Sequence, residues 1–271
     1  MSTVLQAALL GVVQGVTEFL PVSSSAHLIL ARAFFGFDGD KFGLSFDVAC
    51  HVGTLIAVLV YFRVEVAKML AALPHLFTPS QDSNARLIWL LVVGTLPAVV
   101  VGLLFNAAIE EHLRTVQVSA VALTLGAIGF FIADALGSNQ REDASLTMAE
   151  AWWLGCAQAV ALVPGVSRSG ITITIALLLG LRRADAARFI FLLAIPAILA
   201  AALHEAPRVL RAGLGGETGV LFLIGIASSA IVGYVAVAYF IRYLARRSLA
   251  VFAWYRLGLA ATVVVWLWRT P

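Results

Sequence analysis

The sequence predicts an all-α polytopic membrane protein built as an inverted-topology repeat. Of its 271 residues, 61% are hydrophobic and only 12% are charged, against about 25% charged in an ordinary soluble domain. Six apolar segments are long enough to cross a bilayer, and two further apolar stretches are each broken by proline, serines and charge. We therefore treat residues 1–271 as a single integral membrane domain.

A helix needs about 20 apolar residues to cross a hydrocarbon core of about 30 Å. The stretches from Val4 to Phe35 and from Ala149 to Leu181 are interrupted, and each half is too short to cross alone. We interpret both as re-entrant helical hairpins, which must line a cavity or be covered by protein. The predicted spans run from about Leu44 to Phe62, Leu87 to Ala108, Val116 to Leu136, Phe189 to Leu203, Val220 to Tyr243 and Leu249 to Trp268.

Each broken stretch is followed by three predicted spans, which indicates an internal repeat of about 1–140 and 147–271. Glycines recur at matching intervals, of 8 and 24 residues in the first half and of 8 and 25 in the second: Gly94, Gly102 and Gly126, then Gly225, Gly233 and Gly258. A hairpin that returns to its own side leaves three crossings per half. The two halves should therefore have opposite orientations in the bilayer.

The basic residues lie in short loops between apolar segments, so the net charge of +3 is read as a topology signal and not as a nucleic-acid surface. Placing both termini outside puts ten basic residues inside and six outside, which the positive-inside rule favours. No basic residue precedes Arg32, so no removable signal peptide is expected. Cys50 and Cys156 have no metal-like spacing and are assigned packing roles, and Arg256 is expected to snorkel from a helix end.

The two breaks resemble each other as sequences: QGVTEFLPVSSSAH at 14–27 and QAVALVPGVSRSG at 158–170. Proline removes an amide donor and clashes with the preceding turn, so the helix should stop and restart at each break. The serines that follow are good N-caps, and the free amides of a helix N-terminus bind anions. Two such N-termini from opposite repeats would face one anion.

The side chains at the breaks suit phosphoryl chemistry. Gln14 and Glu18 share one face of the first half-helix, Ser24 and His27 share a face of the second, and Arg168 comes from the other repeat. A guanidinium and serine or amide donors can clamp phosphate oxygens, while a hydroxyl or water attacks and a carboxylate or imidazole manages the proton. We predict Glu18, Ser24, His27 and Arg168 as the catalytic residues.

Seven more residues of the breaks are predicted to bind the anionic substrate: Gln14, Ser23, Ser25, Gly165, Ser167, Ser169 and Gly170. Simpler interpretations stay open, since serines in membrane helices often bond a nearby carbonyl and Glu18 could be only a structural partner of Arg168. His27 could merely satisfy a buried carbonyl. Asp47 and His51, four residues apart, form a second polar pair to which we assign a structural or gating role.

These two motifs closely resemble those of the bacterial undecaprenyl-diphosphate phosphatases of the bacitracin-resistance type, and the resemblance covers essentially the whole chain. Gln14 and Glu18 match the family's (Glu/Gln)-x-x-x-Glu element, Ser24 and His27 its serine-rich motif, and Arg168 its Pro-Gly-x-Ser-Arg-Ser-Gly motif. The resemblance implies hydrolysis of undecaprenyl diphosphate to undecaprenyl phosphate and inorganic phosphate. This would recycle the lipid carrier for peptidoglycan and other cell-wall polymers and confer bacitracin resistance.

The resemblance also implies a multi-pass protein of the bacterial inner membrane, with its site facing the periplasm and its activity dependent on magnesium or calcium. Two positions vary, with Gln14 where many relatives carry Glu and Ala26 where many carry Gly. Glu18 is then the only carboxylate of the motifs, so the ion is expected to be held largely by substrate phosphates and water, with its ligands unknown.

Several alternatives stay open. Attack on phosphorus could come from Ser24 or from a water activated by Glu18, and a secondary transporter or lipid-carrier flippase is the alternative function. An acid-phosphatase-like lipid phosphatase is excluded, because neither Lys41 nor Lys68 leads that motif and Thr174 stands where its histidine would fall. The expected partners are a polyprenyl diphosphate and membrane lipids, without nucleic acid, and both a monomer and a homodimer are compatible with the sequence.

Overall fold

The computed structural model of the protein describes residues 1–39, 41–77, 82–212 and 215–269, with only the backbone of residues 210–212. Within these ranges the chain forms eleven α-helices and no β-strand longer than an isolated bridge. They are α1 (Thr3–Phe19), α2 (Ser24–Phe35), α3 (Leu44–Tyr61), α4 (Arg63–Ala72), α5 (Ser83–His112), α6 (Val116–Leu136), α7 (Met148–Val160), α8 (Arg168–Leu178), α9 (Arg183–Ala212), α10 (Gly216–Leu244) and α11 (Ala250–Arg269).

Six helices of the described chain are long and apolar enough to cross a membrane: α3, α5, α6, α9, α10 and α11. They coincide with the six predicted spans, so the all-α polytopic class is confirmed. Helices α5 and α9 extend beyond the predicted apolar segments, because helical turns at their ends consist of polar residues that hydropathy alone leaves out. The side chain of Asp82, for example, caps α5 by accepting from the amide of Asn84.

The two interrupted stretches form helix pairs that are too short to cross a bilayer. Helices α1 and α2 have 17 and 12 residues, and α7 and α8 have 13 and 11. Each pair begins and ends on one side of the fold. Thr3 and Lys41, which flank the first pair, both bond Glu217, and Arg141 pairs with Glu150 at the start of α7 while its carbonyl accepts from Arg182 after α8. A re-entrant placement in the bilayer stays a prediction.

The two halves interlock, because the first helix of each pair packs chiefly on a long helix of the other half. Helix α1 packs on α10, and α7 packs on α5. The helices touch at glycines: a Cβ added at Gly11 would lie 2.8 Å from the carbonyl oxygen of Gly225, and one at Gly155 would lie 2.6 Å from that of Gly94. Gly94 and Gly225 hold matching places in the predicted repeat. This exchanged pair of contacts supports the repeat of 1–140 and 147–271, which stays a prediction.

The close approach of α7 and α5 predicts the effect of Gly155→Ala. The new methyl group would also lie 2.8 Å from Cδ of Pro97, so the helices must move apart, and such overpacking costs about 1–3 kcal/mol. We expect a lower thermal unfolding midpoint in detergent. Gly258→Ala is the matched control, since no atom lies within 4 Å of the added Cβ. Equal midpoints for the two variants would contradict the proposed contact.

Candidate active site

The backbone takes the same unusual conformation at both breaks. Ser23 has φ 73° and ψ 96°, and Ser167 has φ 72° and ψ 113°. Among the described residues other than glycine, only these two serines and Asn139 have positive φ. Such backbone costs of the order of 1–3 kcal/mol and persists only where the surroundings enforce it. Its occurrence once in each half indicates that both breaks are built to present the residue that follows.

Each of these serines caps the helix that it precedes. The Ser23 hydroxyl accepts from the amide of Ala26, three residues on, and the Ser167 hydroxyl accepts from the amide of Gly170. Each hydroxyl also lies 3.2 Å from the hydroxyl of the serine two residues later. Ser24 and Arg168 are consequently the first residues of α2 and α8. They occupy equivalent places in the two halves.

Three predicted residues contact the carboxylate of Glu18, itself a predicted residue, which is only 8% exposed at the end of α1. The Ser24 hydroxyl donates to Oε2 of Glu18 at 2.6 Å, and the amide nitrogen of Gln14 donates to the same oxygen at 2.8 Å. Arg168 forms a hydrogen-bonded ion pair with Oε1. Hydroxyl, carboxylate and guanidinium are therefore within contact distance, as the sequence predicts.

The imidazole at this cluster is that of His51, for which the sequence predicted only a structural or gating role. Nε2 of His51 lies 3.3 Å from Oε2 of Glu18, and Nδ1 lies 2.7 Å from the carbonyl oxygen of Asp47. The Asp47 carboxylate itself binds Arg32 and Arg114. The spacing of Asp47 and His51 marked a polar face on α3, but nothing in the sequence indicated that this face meets α1.

The ring of His27, one turn after Ser24 on α2, points away from this cluster. Its Nδ1 is 2.8 Å from the carbonyl oxygen of Ser23, its Nε2 is 2.7 Å from the hydroxyl of Tyr255, and the two rings stack. It does not line the cavity at the cluster. The structure thus matches the simpler interpretation, in which His27 satisfies a buried carbonyl, and does not bring it to Glu18.

A cavity of about 270 Å³ opens in front of the Glu18 cluster. Its deep end is lined by Glu18, Ser24, His51 and Arg168, and small apolar residues of α3, α5 and α9 form its walls. Its far end is polar and lies beside the start of α3, where Ser45 bonds Glu205. The cavity therefore runs from the breaks toward the side of the fold that carries the N-terminus.

The predicted binding residues divide into two groups. Ser23, Ser25 and Ser167 line the cavity, whereas the other four do not, among the residues that the structure describes. Ser169 bonds backbone carbonyls at the end of α1. Gly165 has φ 97° and a Cβ there would lie 2.6 Å from the carbonyl oxygen of Ser119, so that glycine is required for backbone packing. Of the remaining two, Gln14 donates to Glu18, and Gly170 leaves room for the side chains of Phe130 and Arg256.

Arg256 joins the two breaks from beneath, and the expectation that it snorkels is wrong. It is completely buried, its hydrogen-bond partners within the described ranges include no carboxylate, and it lies over the ring of Phe130. Its guanidinium donates to five backbone carbonyls, those of Pro21, Ala122, Leu123, Gly165 and Val166. A buried charge is tolerated only when such partners replace water. Those partners include one carbonyl from the first break and two from the second.

Fold and site together define an integral membrane protein with a cavity between two broken helices, lined by a carboxylate, serine hydroxyls and a guanidinium. A model of the family described as bacitracin resistance protein BacA matches residues 7–262, and the chain belongs to that family. The family that the two motifs resemble is thus confirmed.

Relatives in this family align with nearly the full chain. A protein named undecaprenyl-diphosphatase from Rubrobacter xylanophilus is 47% identical over 270 residues, which is 98% of this chain and 99% of the relative. Proteins of the same name from Trichlorobacter lovleyi and Saccharophagus degradans are each 43% identical, over 265 and 268 residues. The first of these two alignments covers 97% of this chain and 97% of the relative, and the second covers 98% of each.

The guanidinium clamp predicts that Arg256→Lys destabilises the fold although it keeps the charge. An ammonium group has three donors on one atom and cannot reach five carbonyls on three segments, and each buried carbonyl left without a donor costs about 1–3 kcal/mol. We expect a clear fall in the thermal unfolding midpoint. Arg242→Lys, at an exposed position on α10, is the control. A midpoint equal to that of the control would contradict the clamp.

Proposed function

We propose that this chain hydrolyses undecaprenyl diphosphate to undecaprenyl phosphate and inorganic phosphate, and that it thereby recycles the lipid carrier and confers bacitracin resistance. The observation that supports this most directly is the 2.6 Å hydrogen bond from Ser24 to Glu18, whose other oxygen pairs with Arg168 of the opposite half. Phosphoryl transfer by a hydroxyl requires a base that is hydrogen-bonded to it and a guanidinium nearby that can bind phosphate. The relatives carry the name of this activity.

In the proposed mechanism Ser24 attacks the terminal phosphorus and Glu18 receives its proton. The hydrogen bond between them already has the length expected of a nucleophile and its base. Arg168 and the free amides at the start of α2 and α8 hold the phosphate oxygens, where negative charge builds up in the transition state. Attack by a water activated by Glu18 is the alternative, and it would leave Ser24 with a positioning role only.

The walls of the cavity suit the isoprenoid part of the substrate. Between the deep end and the polar far end, α5 and α9 contribute small apolar residues, among them Ala98, Gly102, Ala197 and Ala201. A Cβ added at Gly102 would meet only Leu162, at 3.9 Å. Contact between apolar surface of this kind and hydrocarbon is favourable, because it removes both from water. We infer that the first isoprene units lie against these residues.

A divalent cation has no ready protein cage in the described part of the chain. No group of three or more His, Cys, Asp and Glu side chains there could hold a metal ion, and both oxygens of Glu18 already have protein partners. We propose that magnesium or calcium is held by diphosphate oxygens and water, where it would neutralise phosphate charge. Proton transfer and phosphate binding by the chain rest on its own side chains and amides.

We infer that the protein resides in the bacterial inner membrane with its cavity facing the periplasm. The cavity runs toward the side of the N-terminus, and the distribution of basic residues favours that side as the exterior. A lipid-carrier flippase is the second candidate, because the exchanged contacts of α1 and α7 resemble the interlocked halves of transporters. Hydrolysis by the purified protein separates the two functions. Either one is compatible with a homodimer.

Phosphate release from undecaprenyl diphosphate by purified protein in detergent tests the function, and Ser24→Ala tests the nucleophile. We expect a loss of at least about 10³-fold in kcat for Ser24→Ala, because the alanine cannot form the covalent intermediate. Acid quenching with terminally labelled substrate should trap phosphoserine in the unmodified protein only. Thr262→Ala, an exposed hydroxyl on α11, should keep full activity. Full activity in Ser24→Ala would instead favour attack by water.

Chelation tests how the cation is held. We expect EDTA to abolish phosphate release from undecaprenyl and farnesyl diphosphate, and magnesium or calcium to restore it. The unfolding midpoint of the substrate-free protein should not change with EDTA, because the residues that the structure describes form no cage. A lower midpoint upon chelation without substrate would show an ion held by the protein itself.

A further inference from the structure

His51 is an imidazole in the cavity that the proposed mechanism leaves without a role. Its side chain is 27% exposed and faces the cavity from the middle of α3. Asp47, one turn earlier, gives His51 only its backbone carbonyl, because its carboxylate is fully engaged by Arg32 and Arg114. The only carboxylate in contact with the ring of His51, among the described residues, is that of Glu18.

The hydrogen-bond partners of His51 determine which ring nitrogen carries a proton. Nδ1 faces the carbonyl oxygen of Asp47, which can only accept, so Nδ1 carries the hydrogen. Nε2 of a neutral ring is then a bare acceptor, 3.3 Å from Oε2 of Glu18. A proton released beside these two acceptors can bind either atom, and it turns their contact into a hydrogen bond. Ser24, which donates to the same oxygen, is the group whose proton is released in the reaction.

We propose that His51 shares the proton that Glu18 takes from Ser24, so that the carboxylate and the imidazole act together as one base. This inference rests on the proposed function. In the first step the bond from Ser24 Oγ to phosphorus forms and the bridging phosphorus–oxygen bond breaks. The Ser24 proton moves to the Glu18 and His51 pair, and the departing lipid monophosphate takes it away.

The second step uses the pair in the same way. A water oxygen bonds to phosphorus, and one of its protons moves to the Glu18 and His51 pair. The phosphorus–Oγ bond of phosphoserine breaks, inorganic phosphate leaves, and the pair returns the proton to Oγ of Ser24. Atoms and protons balance over the cycle, and no further reactant is needed.

The surroundings explain why a lone carboxylate would be a weak base here. Arg168 from α8 pairs with Glu18 and stabilises its ionised form, which lowers its tendency to take a proton. An adjacent imidazole offers that proton a second site. The other titratable groups that line this cavity are Glu205 and His204 on α9, at its far end, and α10 meets α3 through a neutral hydroxyl, that of Ser229.

His51→Gln tests the inference, because glutamine can hydrogen-bond Glu18 but cannot take up a proton. We expect kcat for undecaprenyl diphosphate to fall by about 10²- to 10⁴-fold, the usual contribution of general acid–base catalysis. We expect KM to stay within about threefold and the pH profile of kcat to lose one inflection. His51→Asn is the second variant if His51→Gln does not fold.

Two other histidines serve as comparisons. His112→Gln, at an exposed position outside the cavity, should keep kcat and the pH profile. His27→Gln should keep the inflection whatever its rate, because His27 bonds Ser23 and Tyr255 and not Glu18. An active protein whose His51→Gln variant is folded and retains kcat and the full profile would overturn this inference alone. Absence of phosphate release in the unmodified protein would overturn the proposed function instead.

Discussion

The ion pair between Glu18 and Arg168 is the contact on which the arrangement of the site depends. It joins the two halves of the chain at the point where both have lost their helical hydrogen bonds, and neither charge would be tolerable there alone. Broken backbone at this depth requires cover from protein or a cavity. The five carbonyl contacts of Arg256 supply that cover from one side, and the cavity occupies the other. The ion pair that joins the two breaks is therefore also part of the proposed site.

The serines at the breaks show how the site is held ready. Ser23 and Ser167 both adopt strained backbone and both cap the following helix, so each cap hydrogen bond offsets part of the cost of the strain. The residue after each serine then begins a helix, and both of these residues contact Glu18. The two halves differ at this position, with a hydroxyl in one half and a guanidinium in the other.

The sequence predicts those features that depend on local composition. Hydropathy located all six spans, and proline with serine located both breaks. It also placed Gln14, Glu18, Ser24 and Arg168 together, because motif residues that interrupt apolar helices have few other partners.

Tertiary packing decided the rest. His51 reaches the cluster only because α3 lies beside α1, and the burial of Arg256 follows from packing of α11 under both breaks. The ring of His27 turns from Glu18 toward Tyr255, because residues three apart differ by about 60° around a helix and His27 therefore does not follow Ser24.

The packing of α1 against α10 also constrains biogenesis. Thr3–Phe19 leaves the ribosome long before Gly216–Leu244 is made, so α1 lacks its main packing partner until synthesis is almost complete. The contact that seats the first hairpin is therefore one of the last to form.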